Sequence, residues 1–164
     1  MKSRGNRGIF IISSMALTLF FLCRAGTAQA QQGCTVSTAP ADFGTYNVLV
    51  AGAHDIVTSI TVGCSFNPPV PADVTISIGP SPNSGGFDPR QMKLSGGSEF
   101  INYNLYIDSG RTQIWGDGTG STFTMTDRVF KRADWVASVY GRIPPGQDVS
   151  IGTYSEILTV TIVW

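Results

Sequence analysis

His54 is the only histidine in the chain, and an imidazole is the side chain best suited to proton transfer or metal binding near neutral pH. A metal site needs further ligands, and a general base needs a nucleophile within reach. No second histidine is present to share a metal, and no serine stands in a Gly-x-Ser-x-Gly elbow. A Ser-His-Asp triad would have to recruit His54 from a strand whose face is otherwise apolar, so its expected role is that of a polar residue at a strand edge. The acidic residues are scattered singly, and no pair suited to glycoside hydrolysis stands out by spacing. Asp117-Gly118-Thr119-Gly120 lacks the repeated oxygen ligands of a calcium loop and reads as a tight turn. Tyr103, Trp135 and Trp164 fall on inward faces, whereas Tyr106, Tyr140 and Trp115 are the aromatic candidates for an exposed contact surface. No catalytic residue, metal site or cofactor site is expected.

The residues with a definite chemical future are two cysteines. Met1 to Arg7 carry Lys2, Arg4 and Arg7 without an acid, and an apolar run from Gly8 to Cys23 follows. At about sixteen residues the run is shorter than a membrane span, and it leads into Ala28-Gln29-Ala30, a small-x-small cleavage pattern. Residues 1–30 are therefore expected to be a signal peptide, with the mature chain starting at Gln31. Cys23 leaves with the signal, and Cys34 and Cys64 remain as an even pair in an exported chain, which predicts one disulfide. Cleavage also leaves seven basic against eleven acidic side chains, a formal charge of −4 and a poor match to nucleic acid. After cleavage no stable membrane insertion is expected.

The elements that must carry these residues are strands. Period-two alternation dominates, and helical spacing is never sustained. From His54 to Phe66, Ile56, Ile60, Val62, Cys64 and Phe66 share one face, which turns Cys64 inward. Val74, Ile76 and Ile78 form a second such face, Ile101, Tyr103, Leu105 and Ile107 a third, and Trp135, Ala137, Val139 and Ile143 a fourth. Leu158, Val160, Ile162 and Trp164 alternate against Thr159 and Thr161, so the chain is expected to stop inside a strand. Turn residues separate these runs at Asn67-Pro68-Pro69, Gly79-Pro80-Ser81-Pro82, Ser95-Gly96-Gly97, Gly116-Asp117-Gly118 and Pro144-Pro145-Gly146. Six or seven strands at this spacing predict a single all-β domain over residues 31–164, an immunoglobulin-like sandwich.

Read in order, the segments Cys34, Phe43-Gly44-Thr45-Tyr46, Arg90-Gln91-Met92, Ile101-Asn102-Tyr103-Asn104-Leu105-Tyr106, Ile114-Trp115-Gly116-Asp117-Gly118-Thr119, Val139-Tyr140-Gly141-Arg142-Ile143-Pro144 and Gly152-Thr153-Tyr154 resemble the spore coat protein U domain family, whose members include subunits of archaic chaperone-usher pili. The resemblance implies a sandwich that lacks its last strand and receives one from a neighbour. Its implied partners are a periplasmic assembly chaperone, an outer-membrane usher and other pilin-like subunits. Leu158, Val160, Ile162 and Trp164 are then the expected lining of a strand-acceptor groove. Polymerising members carry an alternating extension before the first cysteine, whereas only Gln31, Gln32 and Gly33 would precede Cys34 here. Three residues reach about 10 Å, too short to donate a strand of ordinary length.

The function expected on these grounds is a non-enzymatic structural or adhesive subunit of a secreted fibre, pilus or spore coat. Its place would be terminal or accessory, and its route the periplasm and then the cell surface or medium. The rival reading is a self-contained secreted module that binds a ligand such as a carbohydrate.

Overall fold

A computed structural model describes residues 33–66, 70–130 and 134–164. The expected signal peptide, its cleavage point and the Asn67-Pro68-Pro69 turn lie outside the described residues. Nine strands occur among those described: β1 (Gly33–Thr38), β2 (His54–Ser65), β3 (Ala72–Ile78), β4 (Arg90–Leu94), β5 (Phe100–Tyr106), β6 (Met125–Val129), β7 (Trp135–Ile143), β8 (Tyr154–Ser155) and β9 (Val160–Val163). They form a six-stranded sheet in the order β1-β2-β7-β5-β4-β8 and a three-stranded sheet in the order β6-β3-β9. Every pairing between these strands is antiparallel.

The four strong alternations become β2, β3, β5 and β7, and their apolar faces meet between the sheets. Ile60, Val62, Cys64, Ala137, Val139, Ile143, Ile101, Tyr103 and Leu105 come from the large sheet, and Val74, Ile76 and Ile78 from the small one. Cys34 and Cys64 stand directly opposite in the β1–β2 register and are bonded as a disulfide. Gly141 gives the core one close approach that no other residue permits. A Cβ there would lie 2.7 Å from Ile56 Cγ1 and 2.8 Å from Phe43 Cζ, so its absence lets Phe43 press onto β7 and meet Tyr103 edge to face at 5.7 Å.

Two aromatic expectations are corrected. Trp115, expected at an exposed contact surface, is completely buried. Its indole N–H donates to the Ile76 carbonyl at 3.1 Å, and its backbone N–H donates to Leu105 O, which pins the 107–123 connection across the end of the sandwich. Trp164, expected to face inward, is 55% exposed because β9 ends at Val163 and the ring turns out against the backbone of Gly33. The final alternation yields β9, which pairs with β3 in the small sheet, while the short β8 that precedes it pairs with β4 in the large one.

Candidate functional site

The sheets are unequal, and the imbalance opens a cleft. β1 is the last strand of the large sheet and pairs only with β2, while β9 is the last strand of the small sheet and pairs only with β3. Both keep an edge with no backbone partner among the described residues, and an unpaired edge is a template for another strand. The inner face of β1 shows the same vacancy. Val36 is directly opposite the fully buried Val62, on the core side of the sheet, yet it is 39% exposed. A side chain on an inner face stays that open only where the facing layer has nothing to cover it.

Between the two edges lies a cavity of about 370 Å³. One wall is Thr38, Ala39, Pro40 and Ala41, continuing from β1. The other is Tyr154 to Leu158 with Val160, running from β8 into β9. Ile60, Ile78, Leu105 and Val139 form an apolar floor that belongs to the core itself. A second cavity of about 820 Å³ continues the cleft between residues 41–48 and 149–154, and the two share Ala41, Phe43, Met92 and Tyr154. The loop of the second cavity is tied down by Glu99, whose carboxylate accepts from the Ser150 backbone and hydroxyl at 2.8 Å each and from Tyr154 Oη at 3.2 Å. Those bonds hold Glu99 below the usual carboxylate range.

The walls are polar at two points. Glu156 accepts hydrogen bonds from Ser81 Oγ at 2.5 Å, Asn83 Nδ2 at 3.2 Å and Tyr103 Oη at 2.6 Å. Burial, reinforced by the bond to Glu156, pushes the Tyr103 hydroxyl pKa upward, so it remains a donor. Opposite, Thr58 Oγ1 donates to the carbonyls of Ala39 at 3.4 Å and Pro40 at 3.1 Å.

Of the four residues expected at a groove, Leu158 and Val160 line the first cavity. Ile162 is half-buried and packs on the core beside it, and Trp164 sits outside, at the Gly33 end. Sequence reasoning missed the opposite wall and Glu156. Val36 carried a signal, since Cys34, Val36 and Thr38 alternate with Thr35 and Ser37. Glu156 carried none, because nothing in the order of residues announces a carboxylate that meets partners more than fifty positions away.

No cluster of three or more metal-ligating side chains occurs among the described residues, and no helix there is long and apolar enough to cross a membrane. His54 opens β2, and a ring nitrogen bonds the Phe43 carbonyl. Asp117 Oδ1 accepts from the Thr119 N–H at 2.9 Å and its hydroxyl at 2.6 Å, which is the local turn expected of that segment. The arrangement is thus equipped to hold an extended apolar segment through backbone pairing and side-chain burial.

A family model described as the Spore Coat Protein U domain matches residues 20–161. Protein U of Myxococcus xanthus is 29% identical over 129 residues, which is 74% of this chain and 69% of that protein. A chain from the crystal structure of the CsuC-CsuE chaperone-tip adhesion subunit pre-assembly complex, from the archaic chaperone-usher Csu pili of Acinetobacter baumannii, superposes with a TM-score of 0.55 at 21% identity. That superposition covers 82% of this chain and 40% of the other, so the present chain spans well under half of its length. The likeness establishes a shared fold.

Proposed function

Because the chain belongs to the spore coat protein U domain family, we propose that it is a non-enzymatic structural or adhesive subunit of a secreted surface fibre, completed by a β-strand donated in trans. The observation that carries this reading is the pair of facing free edges, β1 and β9, with a cleft floored by core residues between them. An added strand would satisfy both edges and cover Val36, Leu158, Val160 and Ile162 at once. Four or five buried side chains at ~1.5 to 3 kcal/mol each give roughly 6 to 15 kcal/mol, comparable to the stability of a whole domain. A subunit with that much to gain from a partner strand is suited to ordered assembly.

On this reading residues 1–30 direct export and are removed at Ala30, and the domain of residues 31–164 meets a periplasmic chaperone, then an outer-membrane usher and neighbouring subunits. With three residues before Cys34 after cleavage, the subunit accepts a strand without donating one from its N-terminus, a terminal or accessory place in the fibre.

The test fuses an extended segment of alternating apolar residues after Trp164 through a flexible linker. If it contributes even ~3 kcal/mol, Tm rises by roughly 6 to 12 °C. Co-purification of the unfused protein from the periplasm should give a stoichiometric chaperone complex. An unfused protein that is already a stable monomer, with no gain from the added strand, would sink this reading in favour of a self-contained binding module.

A further inference from the structure

Each wall of the cleft contains a stretch without the ladder bonds that hold ordinary strands in place. Past Ala39, whose N–H donates to Ser59 O at 3.1 Å, no residue from Pro40 to Tyr46 makes a backbone–backbone bond among those described. On the other side β8 ends at Ser155 and β9 begins at Val160. The intervening span has a single such bond, from Gly79 N–H to Thr159 O at 2.8 Å. Ile157 and Leu158, which line the cavity, lie on this untied stretch, and Ile157 is 89% exposed. The two stretches without ladder bonds, residues 40–46 and 156–159, flank an apolar floor and should close onto it.

Side chains supply what the backbone lacks. Glu156 is anchored by Ser81, Asn83 and Tyr103, and two of these donors, Ser81 and Tyr103, are themselves buried. Ser81 and Asn83 also bond the backbone of Gln91 on β4, so the anchor rests on the large sheet. Thr58, inside the long ladder of β2 with β7, grips the Ala39 and Pro40 carbonyls of the opposite wall.

We propose that Glu156 and Thr58 are positioning residues that hold the two walls apart before a strand arrives, so that the cleft is pre-organised for capture. This rests on the strand-acceptor reading and adds to it the residues that set the capture affinity. Pre-organisation lowers the ordering cost of association, so losing either grip should weaken capture of a free strand more than it weakens the fold. A fused strand, already present at high effective concentration, should be much less affected.

The experiment titrates the mature chain with a synthetic peptide of about ten residues alternating valine and threonine. It compares the wild type with Glu156→Ala, Glu156→Gln and Thr58→Val, and with Val129→Ala, a core truncation on β6 away from the cleft. Glu156→Ala should weaken peptide binding by about tenfold or more, and Thr58→Val, which deletes the hydroxyl alone, by about threefold to tenfold. Glu156→Gln should recover part of the loss, because an amide still accepts from Ser81 and Asn83. Val129→Ala should lower Tm without changing the affinity by more than about twofold. Affinity losses that only track Tm across all variants, or a Glu156→Ala protein that binds like the wild type, overturn the positioning role. If Glu156→Ala does not fold, Thr58→Val decides: unchanged affinity overturns the proposal. A wild type that takes no peptide overturns the strand-acceptor reading itself, and this inference with it.

Discussion

The two sides of the sandwich treat their outermost strands in opposite ways. β4 has only the two-residue β8 beyond it, which leaves most of its outer edge without a strand. That edge is nevertheless closed: Asn83 Nδ2 donates to Gln91 O at 2.7 Å, Gln91 N–H donates to Ser81 Oγ at 3.3 Å, and Ser95 N–H reaches Thr153 O at 2.8 Å. On the other side β1 and β9 face one another with neither a strand nor a side-chain cap between them. Edge strands are ordinarily covered, capped or charged because they invite unwanted pairing. The chain thus spends Ser81 and Asn83 on one edge of the large sheet and leaves its other edge, β1, bare opposite β9; β6, the remaining edge of the small sheet, also pairs only with β3 but borders no such cleft.

The largest effect expected on this comparison comes from the Cys34–Cys64 bridge, the covalent tie of β1, and hence of one cleft wall, to β2. Its sequence separation of 30 corresponds to roughly 3 to 4 kcal/mol in the loop-entropy model. Cys34→Ala with Cys64→Ala should lower urea-derived stability by about that amount and abolish capture of an added strand. A double variant that loses stability but still captures the strand would show that the β1 wall does not need its staple.

Uncapping the closed side should cost less and show a different symptom. Ser81→Ala removes the acceptor for Gln91 N–H and Ser84 N–H and a donor to Glu156, a loss of about 1 to 3 kcal/mol. With β4 freed, concentration-dependent association should appear in sedimentation beyond that of the wild type. A Ser81→Ala protein that stays monomeric would mean that β8 and the neighbouring loops already protect that edge.

The contrast between the sides was half legible in the sequence. β2, β3, β5 and β7 could be read because each buries one face over at least three alternating positions. The apolar content of the last strand was equally plain. The change of sheet between Ser155 and Val160 was not, since no glycine or proline marks the crossover and only pairing partners reveal it. Trp115 was misread for a related reason: flanked by Ile114 and Gly116 in a turn-rich stretch, it has no strand period to place it, and its burial depends on the Ile76 carbonyl. Arg90 is the extreme case. It is fully buried, with its guanidinium donating to Asn104 Oδ1 at 2.7 Å and to Trp115 O at 2.7 Å, and composition offers no hint that a cation sits in the core.

The smallest expected effect lies on the outer face of the large sheet, away from either edge. Asp55 on β2 accepts from Arg142 Nε at 2.7 Å and Nη2 at 2.8 Å, across the register that pairs the two residues, and Arg111 lies 3.3 Å away. The bond to Arg142 is the main cause that holds the Asp55 carboxyl below its ordinary value, against a smaller opposing cost of burial. Since the folded form is the stronger acid, the pair stabilises the fold fully above the unfolded carboxylate pKa of about 4, and that contribution is lost as pH falls through the lowered folded value. Asp55 keeps 33% of its side-chain surface in solvent, so screening limits the contribution to under about 1 kcal/mol. Asp55→Asn should therefore lower Tm by at most a few degrees at pH 7, flatten the decline in stability below about pH 4, and leave the gain from a fused strand unchanged. If Asp55→Asn erased that gain, the outer face and the cleft would be coupled through β2, and the open edge would not be the independent site that its geometry describes.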